Sequence, residues 1–209
     1  MFNVILLLCI TALTYGHRIR QCTCNEIQPC SNVDARTIFT CADKCQVKGH
    51  VAKSGVSYPA LRMCYQEIES TINAVFGCVR DKLSNSCSKV PPPLTVRQFN
   101  PTLFKVELIK EVITQLKASG IKHEVIKYFL EEKEYSKCRL ECFSDEALKC
   151  LRERRCGLVL PSNRDLVLIL KQCALPNGMG TAGFRKLCRC KVKAGAASLA
   201  NICGKIVVS

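Results

Sequence analysis

Sixteen cysteines divided evenly around a stretch that has none constrain this chain more than any other feature. Setting aside Cys9, which falls in the apolar N-terminal run of an expected leader, Cys22, Cys24, Cys30, Cys41, Cys45, Cys64, Cys78 and Cys87 precede the stretch from Ser88 to Lys137, and Cys138, Cys142, Cys150, Cys156, Cys173, Cys188, Cys190 and Cys203 follow it. An even number on each side lets each side close on itself. The gap opens with Pro91, Pro92 and Pro93, which favour a stiff extended connector over a helix or strand. The division therefore predicts two separately stapled lobes, 17–88 and 100–209, joined by a proline-rich spacer at 89–99, with eight bridges and none crossing the gap.

The cysteines also indicate the compartment. They make up about 8% of the chain beyond residue 16, a density typical of disulfide scaffolds in oxidising surroundings. Zinc is the rival use of Cys22-x-Cys24 and Cys188-x-Cys190. There is no CxxC pair, however, and His17, His50 and His123 are scattered, whereas structural zinc sites use closely spaced knuckles. The apolar run Val4–Leu13, with Thr14 and Gly16 behind it, predicts a secretory leader over 1–16, and the alternative is a buried N-terminal helix. It is too short to span a membrane, and no other run reaches the required length of about 18 residues.

Helix signals dominate what remains. From Pro59, with Ser57 as a nearby cap, Leu61, Cys64, Ile68, Ile72, Val75, Val79 and Leu83 recur at spacings of three and four. They predict one helix of about six turns, weakened at Gly77 and ended by Asn85-Ser86. Asn100-Pro101 is an N-cap with a proline in the first turn, followed by Phe104, Leu108, Val112 and Leu116 on one face, and Gly120 ends that helix. A second middle helix, Ile121–Lys137, places Val125, Ile126, Phe129 and Leu130 inward. Ser144 reads as the N-cap of a short helix ending at Gly157. Ser162 or Asn163 caps a segment whose centre, Leu166–Leu170, is apolar all round and so predicts the core of its lobe. Thr181 caps a last helix to about Val192. Strand signals are scarce, and the predicted class is all-α and disulfide-rich. If helical, the i, i+4 pair Cys41/Cys45 points both sulfurs to one side, so these two cysteines bond outward to a neighbouring element, and Cys138/Cys142 is another CxxxC. The recurrence of CxxxC also raises internal duplication, although the spacings around the two copies differ.

Cys22-x-Cys24, Cys30, Cys41-x3-Cys45, Leu61-Arg-x-Cys64, Cys78 and Cys87 together resemble the cysteine-rich domain of secreted nematode proteins of the chondroitin-proteoglycan type, over the first half only. The resemblance implies a secreted, extracellular protein. Glycosaminoglycan carriers use Ser-Gly sites beside acids, whereas Ser54-Gly55 follows Lys53 and Ser119-Gly120 follows Lys117-Ala118. The expectation is therefore a chain without such attachments.

The net charge of +14 is uneven. Residues 17–87 hold nine basic and six acidic side chains, and residues 88–209 hold twenty-two and eleven. After Asp165 there is no acid. In the last helix Arg185, Arg189 and Lys193 align at i, i+4 and i+8 beside Lys186 and Lys191, and Arg152, Arg154 and Arg155 form a second basic knot. Such a field attracts extracellular polyanions: glycosaminoglycans, anionic lipid or acidic proteins. The plainer alternative is a solubilising surface, and nucleic acid is not expected outside the cell. There is no HExxH, G-x-S-x-G, phosphate loop or calcium loop. Paired cysteines leave no thiolate for catalysis, and nothing requires a cofactor. The only Asn-x-Thr, at Asn100, is barred from glycosylation by Pro101. The reading is a secreted, non-enzymatic interaction protein that docks an acidic surface through its basic C-terminal half. The alternative is a helical carrier of lipid or small hydrophobes, or a membrane-active protein, with Leu166–Leu170 walling a cavity.

Overall fold

Two antiparallel disulfide ladders, both running between the two halves of the sequence, organise the fold. The structure, a computed structural model, describes residues 18–31, 33–47, 55–90 and 94–209. The expected leader, His17, His50 and Pro91, Pro92 and Pro93 lie outside the described residues. The first ladder joins Cys22 to Cys156, Cys30 to Cys150, Cys41 to Cys142 and Cys45 to Cys138. The second joins Cys64 to Cys190 and Cys78 to Cys173. Cys24–Cys87 and Cys188–Cys203 close within one half. All sixteen cysteines pair, as expected, but six of the eight bridges cross the gap, so the expectation that none does so is overturned. Even parity permits self-closure without requiring it, because partners are set by which helices pack together. Each bridge restricts the unfolded chain and contributes about 2–4 kcal/mol, without simple additivity.

The elements follow from local signals and these ladders. Among the described residues there are nine α-helices: α1 (Cys24–Ile27), α2 (Ala35–Val47), α3 (Tyr58–Gln66), α4 (Glu69–Lys82), α5 (Pro101–Ala118), α6 (Lys122–Glu131), α7 (Lys133–Arg154), α8 (Asn163–Ala174) and α9 (Thr181–Lys193). The fold is thus all-α and disulfide-rich. Two three-residue strands, β1 (Arg18–Arg20) and β2 (Thr95–Arg97), pair antiparallel with Arg18 opposite Arg97, so part of the expected spacer is sheet. A Cβ at Gly157 would stand 2.8 Å from Ile19 Cδ1 and 3.1 Å from Val96 Cγ2. Gly157 is therefore needed for close approach to this sheet. The helix stop is Arg155, at φ 51°.

α2 and α7 lie side by side with their CxxxC pairs facing, Cys41 on Cys142 and Cys45 on Cys138, and Lys44 Nζ reaches Glu146 at 3.2 Å. The two motifs are partners across one interface. α7 runs unbroken through Ser144, against the expected new start there, and so carries Cys138, Cys142 and Cys150 of the first ladder on one helix. The single helix expected from Pro59 is broken at Ile68 (φ −110°, ψ 12°), and Gly77 sits inside α4. Cys64 of α3 is tied to α9 and Cys78 of α4 to α8, so the two pieces follow different partners. Asn100 caps α5 by accepting from Thr102 N and Leu103 N, and Gly120 takes φ 68° behind it, both as expected. Ser162 caps α8 by accepting from Asp165 N.

One apolar core draws on both halves, uniting Ala35, Phe39, Leu61 and Tyr65 with Ile121, Tyr128, Tyr135, Leu199 and Ile202. Leu166 and Val167 are buried but lie outside this cluster, and Leu168 is exposed. The segment expected to be a lobe core is instead a wall.

Candidate ligand-binding cleft

That wall faces a half-open cavity of about 340 Å³ bordered by α5, α6, α8, α9 and the two segments after α9, within the usual size range of small-molecule sites. Each helix contributes one stripe at helical spacing. These are Leu108, Val112 and Leu116 from α5, Val167, Leu170 and Ala174 from α8, and Phe184 and Leu187 from α9. Val125 and Tyr128 of α6 complete the wall, and Leu199 and Ile202 form a floor. The stripes point at one another, but no side chain fills the space between them.

The frame holds two of these walls covalently. α8 is pinned to α4 by Cys78–Cys173, and α9 to α3 by Cys64–Cys190. Cys188–Cys203 ties α9 to the segment that follows it. Residues 206–209 then strap the cleft between α5 and α9, with Ile206 and Val208 facing inward. The strap is held through side chains. Ser119 Oγ donates to Val207 O (2.8 Å) and accepts from its N–H (3.0 Å), and Thr181 Oγ1 does the same with Val208 at 3.1 and 2.9 Å. Arg185 Nε donates to Ile206 O at 2.9 Å. Thr181 thus serves the strap, and α9 starts from Gly180 without a side-chain cap.

Polar groups are few and lie at opposite sides. At the rim Lys171 Nζ is 3.0 Å from Glu111, which also accepts from Gln115 Nε2 at 2.8 Å. The Gln115 hydrogen bond and Lys171 together hold the Glu111 carboxyl below the usual range. At the inner corner the Lys191 ammonium lies 5.4 Å from the Tyr128 ring centre and 5.9 Å from that of Tyr65. Behind it the Arg139 guanidinium stacks over Tyr65 and Tyr135 at 5.1 and 5.0 Å and donates to Tyr65 Oη. Burial, with Glu132 nearby, pushes the Tyr128 hydroxyl up, and burial does the same to Tyr135.

The sequence pattern missed this corner. Ile121, Val125, Tyr128, Glu132, Tyr135 and Arg139 recur at spacings of three and four along α6 and α7, but a count of purely apolar positions skips Glu132 and Arg139. The inward set expected for α6 is corrected accordingly. Val125 and Ile126 are part-buried, Leu130 is exposed, Tyr128 is buried, and the Phe129 side chain lies outside the described part of the structure.

The basic residues singled out earlier are dispersed in their uses. On α9, Arg185 holds the strap, Lys186 lies 3.6 Å from Glu67, and Lys191 turns to the cleft. Arg189 and Lys193 are exposed. Arg152 pairs with Asp145 at 3.3 Å, the Arg154 carbonyl accepts from Arg20, and the Arg154 and Arg155 side chains are exposed. With every described cysteine in a bridge, none is left to hold a metal. No described helix is long and apolar enough to cross a membrane. No family model, curated protein or solved structure matches this chain.

Proposed function

We propose that this chain is a secreted, non-enzymatic carrier of small apolar ligands, held in the cleft between α5, α6, α8 and α9. The observation that carries the reading is the cavity itself. It measures about 340 Å³, is walled by aliphatic and aromatic side chains from four helices, and is framed by bridges on two sides. Eight disulfides support an oxidising, extracellular setting. A homologous series of alkyl ligands displacing a neutral apolar dye tests the reading. Burial stabilises by about 0.8 kcal/mol per methylene, so affinity should rise about fourfold per added carbon until the cavity is full. Affinity independent of chain length, or no displacement, would remove it.

A second reading follows from Arg189 and Lys193, exposed one turn apart on α9, in a region without acids after Asp165. These residues, with Arg154 and Arg155, would dock an extracellular polyanion. Elution from heparin at the same low salt as a generic basic protein would count against it.

A further inference from the structure

The two cations that line the cleft differ in how their charge is met. Lys171 is neutralised by Glu111 at 3.0 Å. Among the described residues Lys191 makes no ion pair, and its ammonium rests instead against the faces of Tyr65 and Tyr128. The corner behind it holds a second cation, Arg139, and one buried acid, Glu132, at 5% exposure and close enough to act on both Tyr128 and Arg139, while Glu67, outside the corner, is met by Lys186 at 3.6 Å. Two positive charges against one negative leave this end of the cleft with one positive charge unmatched. Beside an apolar cavity wall, which lowers the local dielectric, such a charge attracts a counterion more strongly than it would in open water.

We infer that the ligand is a single-chain amphiphile with an anionic head, the chemistry of a fatty acid. Its carboxylate is met by Lys191 and its alkyl chain lies along Val125, Leu116 and Leu187. The inference rests on the cleft reading above and narrows it. Lys171 is a poorer anchor, because receiving the head would cost it Glu111. The tyrosine faces hold the Lys191 ammonium at the cavity wall without neutralising it.

The test uses the full chain with its bridges intact and three probes of equal length: dodecanoate, 1-dodecanol and dodecyltrimethylammonium. Each displaces a neutral apolar dye from the wild type, Lys191→Gln and Lys191→Arg. A charge-assisted contact predicts that the wild type binds dodecanoate about tenfold or more tighter than the alcohol, with the cation weakest. Lys191→Gln should bring dodecanoate to parity with the alcohol, and continued displacement of the dye by the alcohol shows that the cleft is intact. Lys191→Arg should keep the preference. Equal binding of dodecanoate and dodecanol by the wild type, or a preference that survives in Lys191→Gln, overturns the inference and leaves the cleft reading standing. Failure of all three to displace the dye overturns both.

Discussion

The α2–α7 pair and α5 are secured in opposite ways. α2 and α7 are locked by two facing bridges, Cys41–Cys142 and Cys45–Cys138, with Lys44–Glu146 between them. α5 lies in the cysteine-free stretch, has no fully buried residue, and exposes Leu103, Val106, Ile109 and Val112. It is held by packing on α8, by Glu111–Lys171, and by the contacts of Gln115 and Ser119 with the strap. The covalent frame fixes two walls of the cleft, and the wall built from the cysteine-free stretch rests on weaker forces. If the cleft takes a ligand as proposed, α5 is the wall expected to open first while the frame stays folded.

Cutting the chain gives the largest effect. Proteolysis between Ser88 and Leu94 without reductant should leave both fragments joined, since six bridges connect them, and reductant should release them. Free fragments on a non-reducing gel would break the comparison outright.

Removing one staple should come next. Replacing Cys64 and Cys190 together with serine should lower stability by about 2–5 kcal/mol, read as a fall in the thermal midpoint. Leu116→Ala on α5 should cost less, about 1–2 kcal/mol for a part-buried side chain. Hydrogen exchange should separate the regions in the same direction, with α5 amides opening faster than those of α7. Equal protection in both helices would contradict a mobile wall.

The smallest effect concerns pH. The Glu111 carboxyl is held below its ordinary value of 4.5 by Gln115 and Lys171. Its contribution is therefore complete above that value and is lost as pH falls through the lowered one. Both side chains are about 30% exposed, so the ion pair contributes under about 1 kcal/mol. Release of a neutral dye should quicken by no more than about fivefold below pH 4.5, and Glu111→Gln should show the faster rate at neutral pH with the acid dependence gone. An unchanged acid dependence in that variant would place the effect elsewhere.

Helix class and several helix boundaries were legible locally. Asn100-Pro101, Gly120 and Ser162 mark ends because capping needs only neighbouring residues, and the spacing of Cys41 and Cys45 announced that both sulfurs bond to another element. The missed corner was legible only in part. Ile121, Val125, Tyr128 and Tyr135 keep the helical period, but Glu132 and Arg139 look like surface residues until their partners are known. A buried charge declares itself only through what stands opposite.

By itself the sequence determined an all-helical chain dense in cysteine, with sulfurs at positions that had to reach other elements, and a middle stretch free of bridges. The tertiary structure decided which sulfur meets which, that the helix after Pro59 breaks at Ile68, and that Val167 and Leu170 line a cavity. The reason is one of range. Caps, propensities and periodicity act within a turn or two of helix, and parity is satisfied by any closed pairing. The choice among pairings, and the unfilled space between four apolar stripes, arises from how distant helices pack.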